Sequence, residues 1–195
     1  MSARLARSAM LAFVLCLGAM SAQFSYAQLA KIGGPFQLLD QDGRKVSDAT
    51  YRGKPALVYF GFTSCPDVCP TDLARIARIV RAVRQIGGPT LTPIFITVDP
   101  ERDLPPRMKV YVSGFGSDFV GLTGSAKQIR SVADRYHVYY KKVPFGKHGA
   151  YTMDHSTFLF LLDRNGNYVN HFGRTAEEKQ AAQQIVRELA VPPKK

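Results

Sequence analysis

Ala56-Leu57-Val58-Tyr59-Phe60-Gly61-Phe62-Thr63-Ser64-Cys65-Pro66-Asp67-Val68-Cys69-Pro70 sets an apolar run directly before two cysteines. The run from Ala56 to Phe60 is short, continuous and apolar, the pattern of a parallel strand buried on both faces. A long amphipathic stretch follows, so the cysteines fall at a strand-to-helix junction. Side chains four apart on a helix share a face, with Cβ atoms about 5–6 Å apart. Cys65 and Cys69 could therefore form a structural staple, act as a redox pair or grip one metal ion.

Downstream, Leu73, Ile76, Ala77, Val80 and Val83 recur at helical spacing over Thr71 to Ile86, and Gly87-Gly88 ends the run. Arg75, Arg78 and Arg81 fall on the opposite side and read as a solvated face, with partner docking as the alternative. Pro66 and Pro70 predict an irregular or broken first turn, with the regular helix beginning near Thr71. Leu91 to Val98 reads as a second strand with an edge or irregular start at Pro93. Its end carries Asp99-Pro100-Glu101-Arg102-Asp103. Functional groups in open α/β sheets gather beyond the carboxyl ends of parallel strands, which puts Asp99 on the side of the cysteines. Alternatively Asp99 and Asp103 cap a helix from Pro105 to Val112.

Phe119 to Leu122 is a further short strand, and Thr123 or Ser125 caps a helix reaching about Tyr136, with Ile129, Val132 and Ala133 inward. Val138 to Val143 reads as extended, followed by a loop with Gly146, Lys147, His148 and Gly149. Met153 to Asp163 is the second strongly apolar strand, joined through Asn165-Gly166 to Asn167–Phe172 as a hairpin. Thr175-Ala176-Glu177-Glu178 opens the last helix as a capping box, and that helix stops near Pro192. Before the first core strand, Phe36–Leu39 and Arg44–Val46 flank Asp42-Gly43, a hairpin signal. Hairpin, strand, helix, strand, helix, insert, helix, terminal β-hairpin and helix together describe a thioredoxin-like α/β fold with an added N-terminal β-hairpin and an insert in the middle of the chain.

The chain has 195 residues, 46% hydrophobic and 21% charged, enough for one full core and no signature of disorder. Arg4 and Arg7, an apolar core from Met10 to Met20 and Ser25-Tyr26-Ala27 have the form of a secretory signal ending at residue 27. The apolar core is shorter than the ~20 residues that span a bilayer, which favours cleavage over retention as a membrane anchor. Residues 28–34 follow as a linker, and one domain occupies 35–192. Cys16 lies inside the signal and reads as a small hydrophobe, since bulky Leu15 argues against lipid attachment. In an oxidising compartment an unprotected thiol pair oxidises; Cys65 and Cys69 are therefore kept for use, as so short a loop would make a weak staple. Removal of residues 1–27 takes two positive charges and no acid from the formal +11, leaving +9. The excess suits an acidic partner, an anionic membrane surface or simple solvation; export and the absence of any such motif argue against nucleic acid.

Thioredoxin-like redox enzymes usually keep two residues between their cysteines, whereas Pro66-Asp67-Val68 makes three here. They also place a proline just before the third core strand, facing the cysteines. Aligning Phe158 of His155-Ser156-Thr157-Phe158-Leu159 on the corresponding phenylalanine puts His155 at that proline's position, across from the thiols. Two thiolates and an imidazole suit Cu(I) and also permit Cu(II); structural zinc prefers four protein ligands. A catalytic Cys–His dyad would have only Asp154 as an orienting third group.

Gly61-Phe62-Thr63-Ser64-Cys65-Pro66-Asp67-Val68-Cys69-Pro70, Thr97-Val98-Asp99-Pro100-Glu101-Arg102-Asp103 and Asp154-His155-Ser156-Thr157, in that order, resemble the Sco/SenC family of copper chaperones, from about Ile32 to Ala190. The resemblance implies copper bound through Cys65, Cys69 and His155. It also implies a role in assembling the copper centre of cytochrome c oxidase, as metallochaperone, as thiol reductant of the apo site, or both. The implied partners are the copper-site subunit of the oxidase and other periplasmic copper carriers or thiol reductants. The implied place is the bacterial periplasm, with a tether to the inner membrane as the alternative to free export. A thiol-disulfide oxidoreductase using Cys65 and Cys69 is the second reading, and a peroxiredoxin-like peroxidase a third. Asp99 and Asp154 are candidates to support the site from outside the donor set. His148 is a candidate to approach it, though it reads more simply as loop. His137 and His171 read as structural or solvated, and Met153 as core rather than an extra soft ligand.

Overall fold

The computed structural model describes residues 31–146 and 149–190. The signal segment with Cys16, residues 28–30 of the linker, Lys147, His148 and Pro192 lie outside the described residues. Within them the order is β1 (Gln37–Asp40), β2 (Lys45–Ser47), β3 (Ala56–Gly61), α1 (Val68–Gln85), β4 (Thr92–Thr97) and α2 (Pro105–Ser113). There follow β5 (Val120–Thr123), α3 (Ala126–Arg135), β6 (Tyr140–Pro144), β7 (Tyr151–His155), β8 (Leu159–Leu162), β9 (Tyr168–Phe172) and α4 (Glu178–Ala190). Seven strands form one sheet in the order β2-β1-β5-β4-β3-β8-β9, and β6 with β7 makes a separate antiparallel ribbon. The arrangement is thioredoxin-like, with the N-terminal hairpin at one edge; the segment between α2 and α3, expected as the insert, holds β5 of the main sheet, and the ribbon comes after α3. No helix among the described residues is long and apolar enough to cross a membrane.

β3 is the centre. All six of its residues are buried, parallel to β4 on one side and antiparallel to β8 on the other. Its continuous apolar run reflects burial on both faces. In the register, Gly61 pairs with Thr97, so the cysteine loop and the Asp99 turn leave the sheet at the same carboxyl edge. Tyr59 pairs with Leu159 at the start of β8, which brings the residues just before β8 to that edge too. Three loops distant in sequence meet there. Pro93 is tolerated because β5 joins β4 only from Ile94, paired with Val120, so no partner strand needs an amide at position 93.

Several expectations shift. The hairpin loop spans four residues, 41–44, not two: Asp40 Oδ1 accepts from the amides of Asp42 and Arg44, both at 2.9 Å, and Gly43 takes φ +79°, where a side chain would be strained. α1 begins at Val68 rather than near Thr71. Pro70 is its third residue, and the first four helical amides have no partner within the helix, so the missing N–H costs little. Met153–Asp163 is not one strand. β7 ends at His155, and β8 begins at Leu159 in a different sheet. At the break, the Ser156 amide donates to Tyr139 O at 3.0 Å and Ser156 Oγ accepts from the Tyr139 amide at 3.2 Å.

Arg75 is not on a solvated face. α4 packs against α1, leaving Arg75 9% exposed and donating to Gly173 O at 3.1 Å and Ala176 O at 2.9 Å. Arg78 pairs with Glu178 at 2.6 Å, and Arg81 is exposed as expected. The last helix starts at Glu178, so Thr175 lies in the preceding turn, too far upstream to be its N-cap, and Thr175–Glu178 is not its capping box. Ser125 caps α3: its Oγ accepts from the Gln128 amide at 3.3 Å while Gln128 Oε1 accepts from the Ser125 amide at 2.9 Å, a reciprocal box.

Candidate metal centre

Gly61 closes β3 at the point where the chain must pass closest to the site. A Cβ there would meet Cys69 Sγ at 2.9 Å and the Phe95 ring at 2.8 Å. Glycine thus admits the thiol against the strand end. From Thr63 the loop carries Cys65, then enters α1 at Val68, which fixes Cys69 in the first turn. Cys69 is fully buried and Cys65 half-buried, and both are free thiols. The Cys69 amide, one of the unpartnered donors at the helix start, points at Cys65 Sγ at 3.4 Å. Burial pushes the Cys69 thiol well above the ordinary thiol range, with the neighbouring Cys65 adding to the effect.

His155 ends β7. Its Nδ1 lies 2.9 Å from the Ser156 carbonyl oxygen and its Nε2 3.4 Å from Cys69 Sγ. A carbonyl only accepts, so Nδ1 carries the proton and the Nε2 lone pair is turned to the sulfur. The ring stands edge-on to Tyr59 and Phe62, centroids 6.3 and 5.8 Å away. Burial depresses its pKa below the ordinary 6.5, against the raising effect of the Ser156 bond and of the Asp154 and Asp72 charges. The neutral imidazole, the ligand form, is therefore favoured. As they stand, no three His, Cys, Asp or Glu side chains among the described residues converge closely enough to hold an ion. Cys69 Sγ and His155 Nε2 are in contact, and Cys65 Sγ lies against the Cys69 amide.

The other sequence candidates resolve differently. Asp154 is exposed on β7, paired in register with Lys141, and it is Ser156 O, not Asp154, that orients the imidazole. Met153 is buried among core side chains. His137 takes φ +53° just after α3 and is exposed, and His171 bonds Tyr168 Oη at 2.6 Å in the terminal hairpin. Asp99 and Asp103 do not cap α2, whose N-cap is Leu104 with no side-chain bond. They are buried carboxylates, 2% and 0% exposed, turned inward to hydroxyl, amide and guanidinium donors.

Four residues beside the site escaped the sequence reading. Tyr59 Oη donates to buried Asp72 at 2.8 Å, and Arg174 Nε lies 3.4 Å from the same carboxylate. Arg107 Nε donates to Thr63 Oγ1 at 2.6 Å, and its Nη2 to Ser64 Oγ at 3.0 Å. One signal was present: Asp72 stands one place before Leu73 on a helix whose neighbouring turns are apolar, and a carboxylate there needs a partner.

The SCO1/SenC family model matches residues 25–190. The chain belongs to the SCO1/SenC family. An SCO2-like protein of Rickettsia prowazekii is 44% identical over 155 residues, covering 78% of this chain and 75% of that one. Among solved structures, Bradyrhizobium japonicum ScoI with copper bound is 46% identical, with a TM-score of 0.72 over 81% of this chain and 99% of that one. Arabidopsis thaliana ScoI with copper bound is 38% identical, with a TM-score of 0.79 over 82% and 98%. The SCO1/SenC match thus spans the cysteine loop, the Asp99 turn and the His155 segment together.

Proposed function

We infer that this protein is a copper metallochaperone for assembly of the copper centre of cytochrome c oxidase, and that Cys65, Cys69 and His155 are the donors that carry the ion. Membership of the SCO1/SenC family supports the role, and relatives 46% and 38% identical hold copper in their structures. The contact between His155 Nε2 and Cys69 Sγ supports the donor set most directly, because the Nδ1–H bond to Ser156 leaves a lone pair aimed at a thiol. A metal-bound histidine that donates its other N–H to a carbonyl is held in one tautomer and one orientation.

Two thiolates and an imidazole suit Cu(I), and the imidazole also admits Cu(II). Binding displaces the proton of each thiol. For Cys69 this is the harder step, since burial disfavours a bare thiolate; a cation beside the sulfur supplies the compensating charge. Cys65, half-exposed, is the donor that an incoming or outgoing ligand reaches first. The form of residues 1–27 supports export to the periplasm. The net positive charge supports an acidic face on the oxidase subunit that receives copper. Nothing in the donor geometry favours thiol-disulfide exchange over copper delivery.

Titration of reduced and oxidised protein with copper tests the reading. The reduced protein should take up one ion per chain and the disulfide form none. His155→Ala should weaken binding by about 10-fold or more. Unchanged affinity in that variant would remove His155 from the donor set.

A further inference from the structure

The two halves of the donor set come from loops almost ninety residues apart, and both are fastened to one five-residue turn. At one end of the turn, Asp103 is fully buried. Its Oδ2 accepts from the Thr63 amide at 2.9 Å and from Thr97 Oγ1 at 2.6 Å, and its Oδ1 from Thr63 Oγ1 at 2.5 Å. Thr63 opens the loop that carries Cys65. At the other end, Asp99 Oδ1 accepts from Tyr151 Oη at 2.9 Å, and its second oxygen from Arg102 Nε. Arg102 Nη1 donates to Tyr151 O at 3.0 Å, and its guanidinium stacks 3.9 Å from the Tyr151 ring centroid. Tyr151 is the first residue of the strand that ends at His155. Thr97 ties the ends together, accepting from the Asp99 amide at 2.9 Å while donating to Asp103. The backbone closes on itself as well, with the Asp103 amide on Asp99 O at 3.0 Å.

We propose that the Asp99–Asp103 turn is a bracket that sets the distance between the cysteine loop and the His155 strand, with Asp103 and Thr63 positioning the thiols and Asp99, Arg102 and Tyr151 positioning the imidazole. None of these side chains is a ligand; each acts through the backbone it holds. A buried carboxylate loses its hydration and regains it only from donors in fixed places, so each aspartate defines the position of its loop more sharply than an apolar contact would. The arms share Thr97 and the backbone of the turn, but of the two loops the Asp103 carboxylate bonds only the cysteine loop and the Asp99 carboxylate only the His155 strand. The bracket deepens the copper reading, but its geometry can be tested without metal.

The test removes one hydroxyl from each arm. In the reduced, metal-free protein, Tyr151→Phe should shift and broaden the His155 imidazole resonances in NMR spectra. The rate at which the thiols react with a neutral aromatic disulfide should stay within about two-fold. Thr63→Val should do the reverse, changing the thiol rate several-fold with the imidazole resonances in place, and Thr63→Ser should restore it. In copper competition against a chromophoric Cu(I) chelator, Tyr151→Phe should weaken binding by about 10-fold, and that loss should vanish in a His155→Ala background. The loss from Thr63→Val should persist there. Both variants moving both probes together, or neither moving its own, would overturn the bracket. A wild-type protein that takes up no copper overturns the delivery reading instead, while the resonances and thiol rates still decide the bracket.

Discussion

At the scale of single residues, the site depends on one missing side chain and one proton. Gly61 leaves the space into which Cys69 Sγ fits, with the Phe95 ring closing the other side. Gly61→Ala should cost about 1–3 kcal/mol, because both neighbours are buried and cannot swing away. Urea unfolding would read the cost and copper competition the displaced thiol; an alanine variant as stable as wild type would show that the strand end yields. His155 supplies a pH signature. Its folded pKa lies below the ordinary 6.5, so as pH falls past that value the unfolded chain takes up the proton first and stability declines. The decline ends only once pH drops below the folded pKa. Denaturation midpoints between pH 7.5 and 5, the range around these values, should fall more steeply for wild type than for His155→Leu, which has no imidazole to titrate. Parallel profiles would mean the ring is not held neutral.

Among the elements, the core was the most legible in the sequence. Ala56–Phe60 and the helical spacing of Leu73 to Val83 both report burial directly, and the Ser125 cap follows from a side chain bonding its own helix. Ser125→Ala should cost about 1 kcal/mol in thermal or urea unfolding and leave copper binding alone, since α3 packs on β1, away from the site. His155 was reached by a single displaced proline, because the start of β8 is fixed by its pairing with β3. What stayed hidden depends on contacts between distant segments. Phe158 to Leu162 is apolar and Met153 is too, but the polar run Asp154-His155-Ser156-Thr157 between them is the only local mark of the break at Ser156–Phe158 that moves the chain from one sheet to another. Arg75 looks solvated on an isolated helix; only α4 lying across α1 buries it. Asp99 and Asp103, beside Pro100 and ahead of Pro105, look like caps, and their actual partners, Thr63 and Tyr151, lie some forty to fifty residues away.

For the whole molecule, cargo and stability are linked. An ion held by the folded chain and not by the unfolded one stabilises it, by about 2.7 kcal/mol at free copper 100 times the dissociation constant. For a domain of this size that corresponds to roughly 5–10 °C in Tm. Calorimetry should show the rise in reduced protein with Cu(I) and none in the disulfide form; equal shifts in both would mean copper is bound away from the thiols. The ribbon of β6 and β7 gives this linkage a location. It shares no ladder with the seven-stranded sheet, and a lone pair of strands is marginal in water, yet it carries one of the three proposed donors. An ion gripped by α1 and by His155 at once would act as a rivet between the main sheet and the ribbon, adding to the hold that Asp99 and Arg102 already have on Tyr151. Empty and loaded protein would then share an outline and differ in rigidity at one corner, a difference that an acceptor pressed against that corner could feel and that slowed amide exchange along Tyr151–His155 would record.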